Sequence, residues 1–438
     1  IQERAKKRMI INFTGVSGSR VAYLASKEIK NYNSTLIVVS SGLVADRLRE
    51  DISFFVPDIS VQALPEKEDF HFLYEARDKD ELVRRIRGME SLTGTSHDVV
   101  IVPISALLPP VDEKAHFLKY RRMIRLGDEV DPDELKNFLV QAGYEYNSVT
   151  SAPGEFSGRG DIIDVYSPSM ENPVRIEFFD TEIDSLRTFD PVSQRSVESI
   201  SQFQIVPAVE FMPEPEAVEK ALARIEKEYR KRIDELKEQR EKENLKDGRI
   251  ERYEEELGRI REMFRNRTNL PIFSEYISYF DVPETRMWNY MDNGLVLVYD
   301  PARIGEAIPE YQDKDSFLRM YRECENIRIT TPFPERIEGV DRLDEIQNIE
   351  SRPVAPFNGQ LQMLASSVKG YLKKGYEVHL VSSTEERGAR LREYLDEGGV
   401  HGNLLYDTGN LSAGLILEEE RLCYISENDI FPGQKKAL

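Results

Sequence analysis

The chain has 438 residues, 40% of them hydrophobic, with a formal net charge of −20 and a pI near 4.9. That length predicts about three domains with real cores, and the negative balance opposes tight non-specific nucleic-acid binding by the chain as a whole. No apolar run approaches a membrane span, no segment reads as a signal peptide, and Cys324 and Cys423 lack a partner pattern, which suits a reducing, cytoplasmic compartment. His71, His97, His116, His379 and His401 show no metal-ligand spacing. The sequence opens at Ile1 without a methionine and so reads as a fragment or a trimmed chain.

A strand is expected from Met9 to Phe13, followed by Thr14-Gly15-Val16-Ser17-Gly18-Ser19-Arg20-Val21-Ala22. A phosphate-binding P-loop needs G-x-x-x-x-G-K-[ST]. Gly15 stands at the first glycine. The second glycine position is Arg20, whose Cβ obstructs close backbone approach to phosphate. Val21 replaces the lysine that reaches the β- and γ-phosphates, and Ala22 replaces the hydroxyl that holds Mg²⁺. Gly15, Gly18, Arg20, Val21 and Ala22 therefore read as a degenerate, non-functional P-loop, although a helix N-terminus still attracts anions. Thr35 to Ser40 reads as a buried strand, Leu43 to Phe55 as the helix after it, and Asp98 to Val102 as another strand stopped by Pro103. This alternation makes residues 1–118 an α/β segment. The basic clusters Arg4 to Arg8 and Lys119 to Arg125 read as solvated helix faces rather than phosphate contacts.

Residues 119–207 change character. Asp131 caps a helix with Pro132 at its first position. Pro153 to Phe211 then carries a dense β pattern with turn signals. Gly154, Gly158 and Gly160 suit a tight, bulged entry into a strand. Asp161 to Tyr166 alternates loosely and stops at Ser167-Pro168. In the next run Val174, Ile176 and Phe178 share one face, while Arg175, Glu177 and Phe179 share the other. Asp180-Thr181 turns the chain into Glu182 to Phe189, ended by Asp190-Pro191. The result is an antiparallel meander with one core face and one face bearing a cation, an anion and a phenyl ring. Such a face is commonly just solvated and laced with weak ion pairs. A surface phenylalanine beside arginine also fits a docking site, and both readings stay open at this level.

Residues 208–335 begin with a strongly charged helical stretch from Glu216 to Phe264, with a stripe at Ala221, Ile225, Tyr229, Ile233 and Leu236 and an interruption at Gly248. It suits a solvated helical pair that packs by one face, with a partner-binding coiled coil as the other option. Leu295 to Asp300 reads as a buried parallel strand ending in an acid. A helicase strand of this kind continues with glutamate, whereas Pro301 follows here, so no general base is available. This piece, with Trp288, is expected to pack with the N-terminal segment, making the meander an insertion. Residues 336–356 read as a linker ending in prolines. Residues 357–438 read as a separate small α/β domain, with a helix from Leu361 to Lys374, a strand from Tyr376 to Ser382, a helix capped by Thr384, and strands Gly414 to Leu417 and Leu422 to Ser426.

The string GEF-x-x-RG-D-I-x-D-V…NPVRIEFFD-x-EIDS-x-R-x-FD-x-x-SQRS, here residues 154–196, resembles the UvrB-homology module of bacterial transcription-repair coupling factors. UvrB has a similar block, but its pattern has Thr-Gly where this chain has Ser193-Gln194-Arg195-Ser196. The N-terminal loop likewise resembles the UvrB P-loop after loss of its function. The resemblance implies a degenerate motor-like α/β domain with an inserted small β-rich domain, followed by a separate small α/β domain. It implies that the module binds UvrA, the damage-recognition ATPase, through the residues matching Arg159, Arg175 and Phe179.

The family's full protein adds a domain for RNA polymerase and a helicase-type DNA translocase that uses ATP and Mg²⁺. Its UvrA-facing surface is covered by a C-terminal domain until activation. No cofactor is expected in the present chain. UvrB also carries a long tyrosine-rich hairpin that probes damaged DNA; only the stretch from Pro57 to Ser91 stands here, without that tyrosine cluster. The function implied is a non-catalytic adaptor for transcription-coupled nucleotide excision repair. The alternative is a divergent UvrB-like ATPase acting directly on damaged DNA, against which Arg20, Val21, Ala22 and Pro301 argue.

Overall fold

A computed structural model describes residues 8–67, 79–243, 248–266, 270–309 and 312–432. Positions 4–7 of the first basic cluster, and His71, lie outside the described residues. The fold is mixed α/β, as expected, with a parallel sheet and smaller sheets. The chain divides into two compact units, one made of Ile1–Lys67, Ser91–Leu108 and Met291–Leu438, the other of Glu68–Glu90 and Pro109–Tyr290.

The first unit contains a seven-stranded parallel sheet in the order Glu345–Asn348, Met9–Thr14, Asn326–Thr331, Leu295–Tyr299, Ser34–Val39, Asp98–Pro103, Val61–Ala63. Ser34–Val39 is buried throughout and Leu295–Tyr299 at all but Tyr299, which explains their apolar runs. The helix Gly42–Phe55 starts where Ser41 Oγ accepts from Val44 N. Asn326–Thr331 escaped the sequence reading because its pattern, Asn-Ile-Arg-Ile-Thr-Thr, looks half polar. In the fold it is a central strand, and Arg328 is buried with its guanidinium on Glu28 at 2.9 and 2.7 Å and on the Tyr32 hydroxyl at 3.0 Å.

A second sheet of the same unit runs in the order Ser351–Pro353, Leu415–Leu417, Leu422–Ser426, Glu377–Ser382, Leu404–Thr408. It packs with the helices Leu361–Lys373 and Glu385–Glu397 around Leu364, Val368, Val378, Leu380, Leu391 and Leu395. Within the stretch read as a linker, Glu345–Asn348 pairs with the first sheet and Ser351–Pro353 with the second. An aromatic cluster of Tyr23, Phe54, Phe55 and Tyr424 packs edge to face between helices of the first sheet and a strand of the second. Beside it the Asp51 carboxylate accepts from Ser412 N and Oγ, both at 2.6 Å. Burial pushes Asp51 up to about 6 despite those bonds.

His379 gives this second sheet a pH dependence. Its ring stacks on Tyr424 with centroids 4.3 Å apart, while Nδ1 meets Asp407 at 2.6 Å and Nε2 meets Glu377 at 3.0 Å. Burial works against the charged ring, yet the bonds to the two carboxylates outweigh it and hold the pKa above the ordinary 6.5. A folded pKa above the unfolded one contributes stability that is fully present below about 6.5 and is lost as pH rises through the folded value. Thermal unfolding of wild type and His379→Gln, from about pH 5 to about pH 8, checks this. The wild-type advantage is expected to shrink as pH rises; a constant difference contradicts it.

The second unit is built on a six-stranded sheet in the order Ser196–Ser199, Glu182–Phe189, Val174–Phe179, Ile162–Val165, Glu155–Arg159, Glu145–Tyr146. All pairs are antiparallel except the last. Its inner face places Phe156, Ile163, Val165, Val174, Ile176, Phe178 and Leu186 against Leu135 and Leu139 of the helix Pro132–Gln141. That helix is capped as its sequence suggests, with Asp131 accepting from Asp133 N and Glu134 N. Residues 155–159, expected as the entry to a strand, form a full strand of their own, because Phe156 belongs to the core. Gly160, at φ 57°, makes the turn that follows. The strand Arg122–Arg125 pairs with Gln202–Ile205, so part of the second basic cluster is strand, not helix. Its cations meet carboxylates: Lys119 reaches Glu214 at 3.4 Å, Arg121 Glu90 at 3.1 Å and Arg122 Glu134 at 3.4 Å.

The charged stretch forms two helices, Pro215–Glu243 and Arg249–Asn266, with Gly248 in a left-handed conformation before the second. Ala221, Ile225, Ile233 and Leu236 are buried and Tyr229 is partly so. The two helices belong with the six-stranded sheet in the second unit. Among the described residues no helix is long and apolar enough to cross a membrane.

Candidate docking face and the loop after the first strand

The outward face of the six-stranded sheet follows from its register. Residues directly opposite on neighbouring strands project to the same side. One cross-strand row is Ser157, Asp164, Arg175, Arg187; the next is Arg159, Ile162, Glu177, Ser185. Phe179, opposite Glu182, lies beyond the second row at the turn. Arg159, Arg175 and Phe179 therefore share one face, with Arg159 at the end of the row that separates the other two. Asp180 takes φ 60° at that turn, which an aspartate tolerates better than most residues.

The three differ in how they are held. Phe179 is 77% exposed, the most exposed phenylalanine of the sheet. Arg159 is exposed and donates from Nη2 to the Ser148 carbonyl at 3.0 Å. Arg175 is fixed: Nε and Nη2 donate to the two oxygens of Asp164 at 2.7 and 2.8 Å, and the guanidinium lies 4.7 Å from the centroid of the buried Phe189 ring. The bond to Asp164 raises the Arg175 pKa, with burial opposing and the charges of Asp164 and Glu177 adding to the rise. Sequence reasoning gave no role to Asp164, Phe189 or Arg187. Arg187 donates from Nη2 to Glu177 at 2.9 Å and from Nε to Ser185 Oγ at 3.0 Å.

The loop after the first strand has a different character. Arg20 folds back into it. Nη1 donates to the Gly15 carbonyl at 3.2 Å and to the Ser351 carbonyl at 3.0 Å, Nε donates to the Ser17 carbonyl at 3.1 Å, and Nη2 donates to Ser17 Oγ at 2.6 Å. Burial pushes the Arg20 pKa down, with Tyr299 acting the other way. Gly15 takes φ 83°, and a Cβ there would stand 2.8 Å from the Ile349 carbonyl oxygen. Gly18 N donates to the Tyr299 hydroxyl at 2.9 Å. Val21 and Ala22 are wholly buried in the core of the sheet and its helices. Asp300, at the end of Leu295–Tyr299, takes φ 58° and caps the helix Pro301–Ala307 by accepting from Arg303 N at 3.4 Å.

Residues 123–211 match the UvrB interaction domain. The whole chain is similar to the transcription-repair-coupling factor of Bacillus subtilis, at 27% identity over all of this chain and 39% of that protein. The proteins of the same name from Staphylococcus epidermidis and Staphylococcus haemolyticus are 27% and 25% identical over 97% of this chain and 38% of their own length. The resemblance read from residues 154–196 thus extends from end to end. The chain spans about two fifths of the length of these curated relatives.

Proposed function

We propose that this chain is the N-terminal region of a transcription-repair coupling factor, and that it serves transcription-coupled nucleotide excision repair as a non-catalytic adaptor that recruits UvrA. The observation that carries the reading is the outward sheet face inside the matched residues 123–211, where Phe179 stands exposed beside Arg159 and Arg175. Hot spots of protein interfaces are enriched in arginine and aromatic residues, and a sheet presents them on a backbone that is already ordered. RNA polymerase, DNA and the ATP-driven motor belong, on this reading, to the remainder of a full-length protein. A C-terminal domain of that protein would compete with UvrA for the same face.

The six-stranded unit is read as an insertion in a motor-like domain, since strands Leu295–Tyr299 and Asn326–Thr331 lie between Met9–Thr14 and Ser34–Val39. The residues of the first loop do not fit ATP and Mg²⁺. Arg20 takes up the loop carbonyl of Gly15, Ile349 closes on Gly15, no lysine or hydroxyl stands at positions 21 and 22, and Asp300 is spent as a helix cap. These features speak against a divergent UvrB-like ATPase. Calorimetric titration of the chain with UvrA, and separately with Mg·ATP, tests both parts. Binding to UvrA with no heat from Mg·ATP is expected. Absence of UvrA binding overturns the adaptor, and saturable ATP binding overturns the degenerate loop.

A further inference from the structure

The chain crosses from the seven-stranded sheet to the five-stranded one beside the loop that follows Met9–Thr14. Glu345–Asn348 runs parallel to that first strand, and Ser351–Pro353 pairs antiparallel with Leu415–Leu417. Only Ile349 and Glu350 stand between the two pairings. Ile349 N donates to the Thr14 carbonyl at 3.0 Å, and Glu418 N donates to the Glu350 carbonyl at 3.1 Å. The Ile349 side chain packs both on the core of the first sheet and on the cluster of Leu411, Leu415 and Leu417. The crossing is therefore pinned on each side by one sheet.

Arg20 grips this crossing. Its bonds go to the carbonyls of Gly15, Ser17 and Ser351 and to the hydroxyls of Ser17 and Ser351, five neutral acceptors. Ser351 Oγ also donates to the Gly15 carbonyl at 3.2 Å. One side chain thus ties the loop, at Gly15 and Ser17, to the crossing, at Ser351. A guanidinium suits this task, because its donors are spread in a fixed plane and its charge strengthens each bond. The N–H groups of the loop turn inward as well. Val16 N donates to the Thr331 carbonyl at 3.3 Å and Gly18 N to the Tyr299 hydroxyl at 2.9 Å. In a phosphate-binding loop such groups face the anion.

We propose that the loop Gly15 to Ala22 serves as a latch, in which Arg20 holds the crossing at Ser351 and so fastens the five-stranded sheet to the seven-stranded one. Arg20 is a positioning residue of this joint, and the inference stands whether or not UvrA docks on the chain. The joint has other anchors. Asp51 holds Ser412, and Tyr23, Phe54 and Phe55 pack with Tyr424. These keep the two sheets together when the latch is removed, so its loss shows as local opening of the crossing.

Native-state hydrogen exchange of the whole chain, resolved by peptide, tests this with Arg20→Ala, Arg20→Lys and Ser351→Ala, each accompanied by a melting curve. Arg20→Ala is expected to speed exchange in residues 345–353 and 415–418 by about tenfold or more. Exchange in residues 155–189, which belong to the other unit, is expected to stay at the wild-type rate. Arg20→Lys is expected to recover only part of the protection, because an ammonium lacks the planar fork. Ser351→Ala removes only the hydroxyl and is expected to give a smaller rise in the same peptides. Faster exchange confined to residues 14–18 means that Arg20 shapes the loop alone, and this overturns the latch. Wild-type exchange throughout overturns it too. If Arg20→Ala fails to fold, the other two variants decide: wild-type protection of residues 345–353 in both contradicts the latch.

Discussion

Phe179→Ala is expected to weaken binding to UvrA by roughly 30-fold while leaving the fold intact. A central aromatic hot spot costs about 2 kcal/mol or more on truncation, and each 1.4 kcal/mol is about tenfold in affinity. The ring is 77% exposed, so the unbound chain has almost no packing to lose, and its stability should shift by no more than about 0.5 kcal/mol. This makes it a cleaner probe than Arg175→Ala. Arg175 covers Asp164, whose side chain is only 10% exposed. Removing it strands a largely buried carboxylate and mixes a stability loss with the binding loss. Titration of UvrA with Phe179→Ala, alongside a melting curve, checks the expectation; unchanged affinity refutes it.

The largest stability effect is expected at a buried ion pair. Arg85, on the helix Lys79–Thr93, donates from Nε and Nη2 to the two carboxylate oxygens of Glu210 at 2.8 and 2.9 Å. Both side chains are buried, 1% and 5% exposed. A buried pair of this kind adds little over a well-packed apolar pair, but breaking it is costly because the remaining charge has no water. Arg85→Ala is expected to lower stability by about 3–5 kcal/mol. Replacing both residues, Arg85→Met with Glu210→Leu, is expected to recover much of that loss. Denaturant unfolding of the three proteins checks the order, and a single variant as stable as wild type contradicts it.

Much of the fold is legible in the sequence where side-chain period and burial agree. The alternation Val174, Ile176, Phe178 against Arg175, Glu177, Phe179 appears in the sheet as buried against exposed or half-exposed residues. Asp131 and Thr384 cap the helices they precede. The strand Asn326–Thr331 was hidden by Arg328 and its threonines, because its partners Glu28 and Tyr32 lie far away in sequence.

Arg187 was hidden by a single residue. Counting outward from the Asp180-Thr181 turn places Arg187 opposite Val174, on the core face. A register shift between Ile183 and Ser185 inserts Asp184, so Arg187 instead meets Arg175 on the outward face. A one-residue bulge exchanges the two faces of a strand, and no periodicity in the sequence reveals where it falls. The departures of the loop Gly15 to Ala22 from the P-loop pattern were readable in the sequence. The position of Arg20 within it depends on Ser351, more than three hundred residues away.

The central claim is that UvrA docks on the outward face of the six-stranded sheet, and a photo-crosslinking residue placed at Phe179 tests it most directly. The control carries the same group at Val140, which is 54% exposed on the helix Pro132–Gln141 covering the opposite face. A crosslink to UvrA from position 179 and none from position 140 is the expected result. A crosslink from 140 alone, or none from 179 while UvrA binds, would contradict the claim.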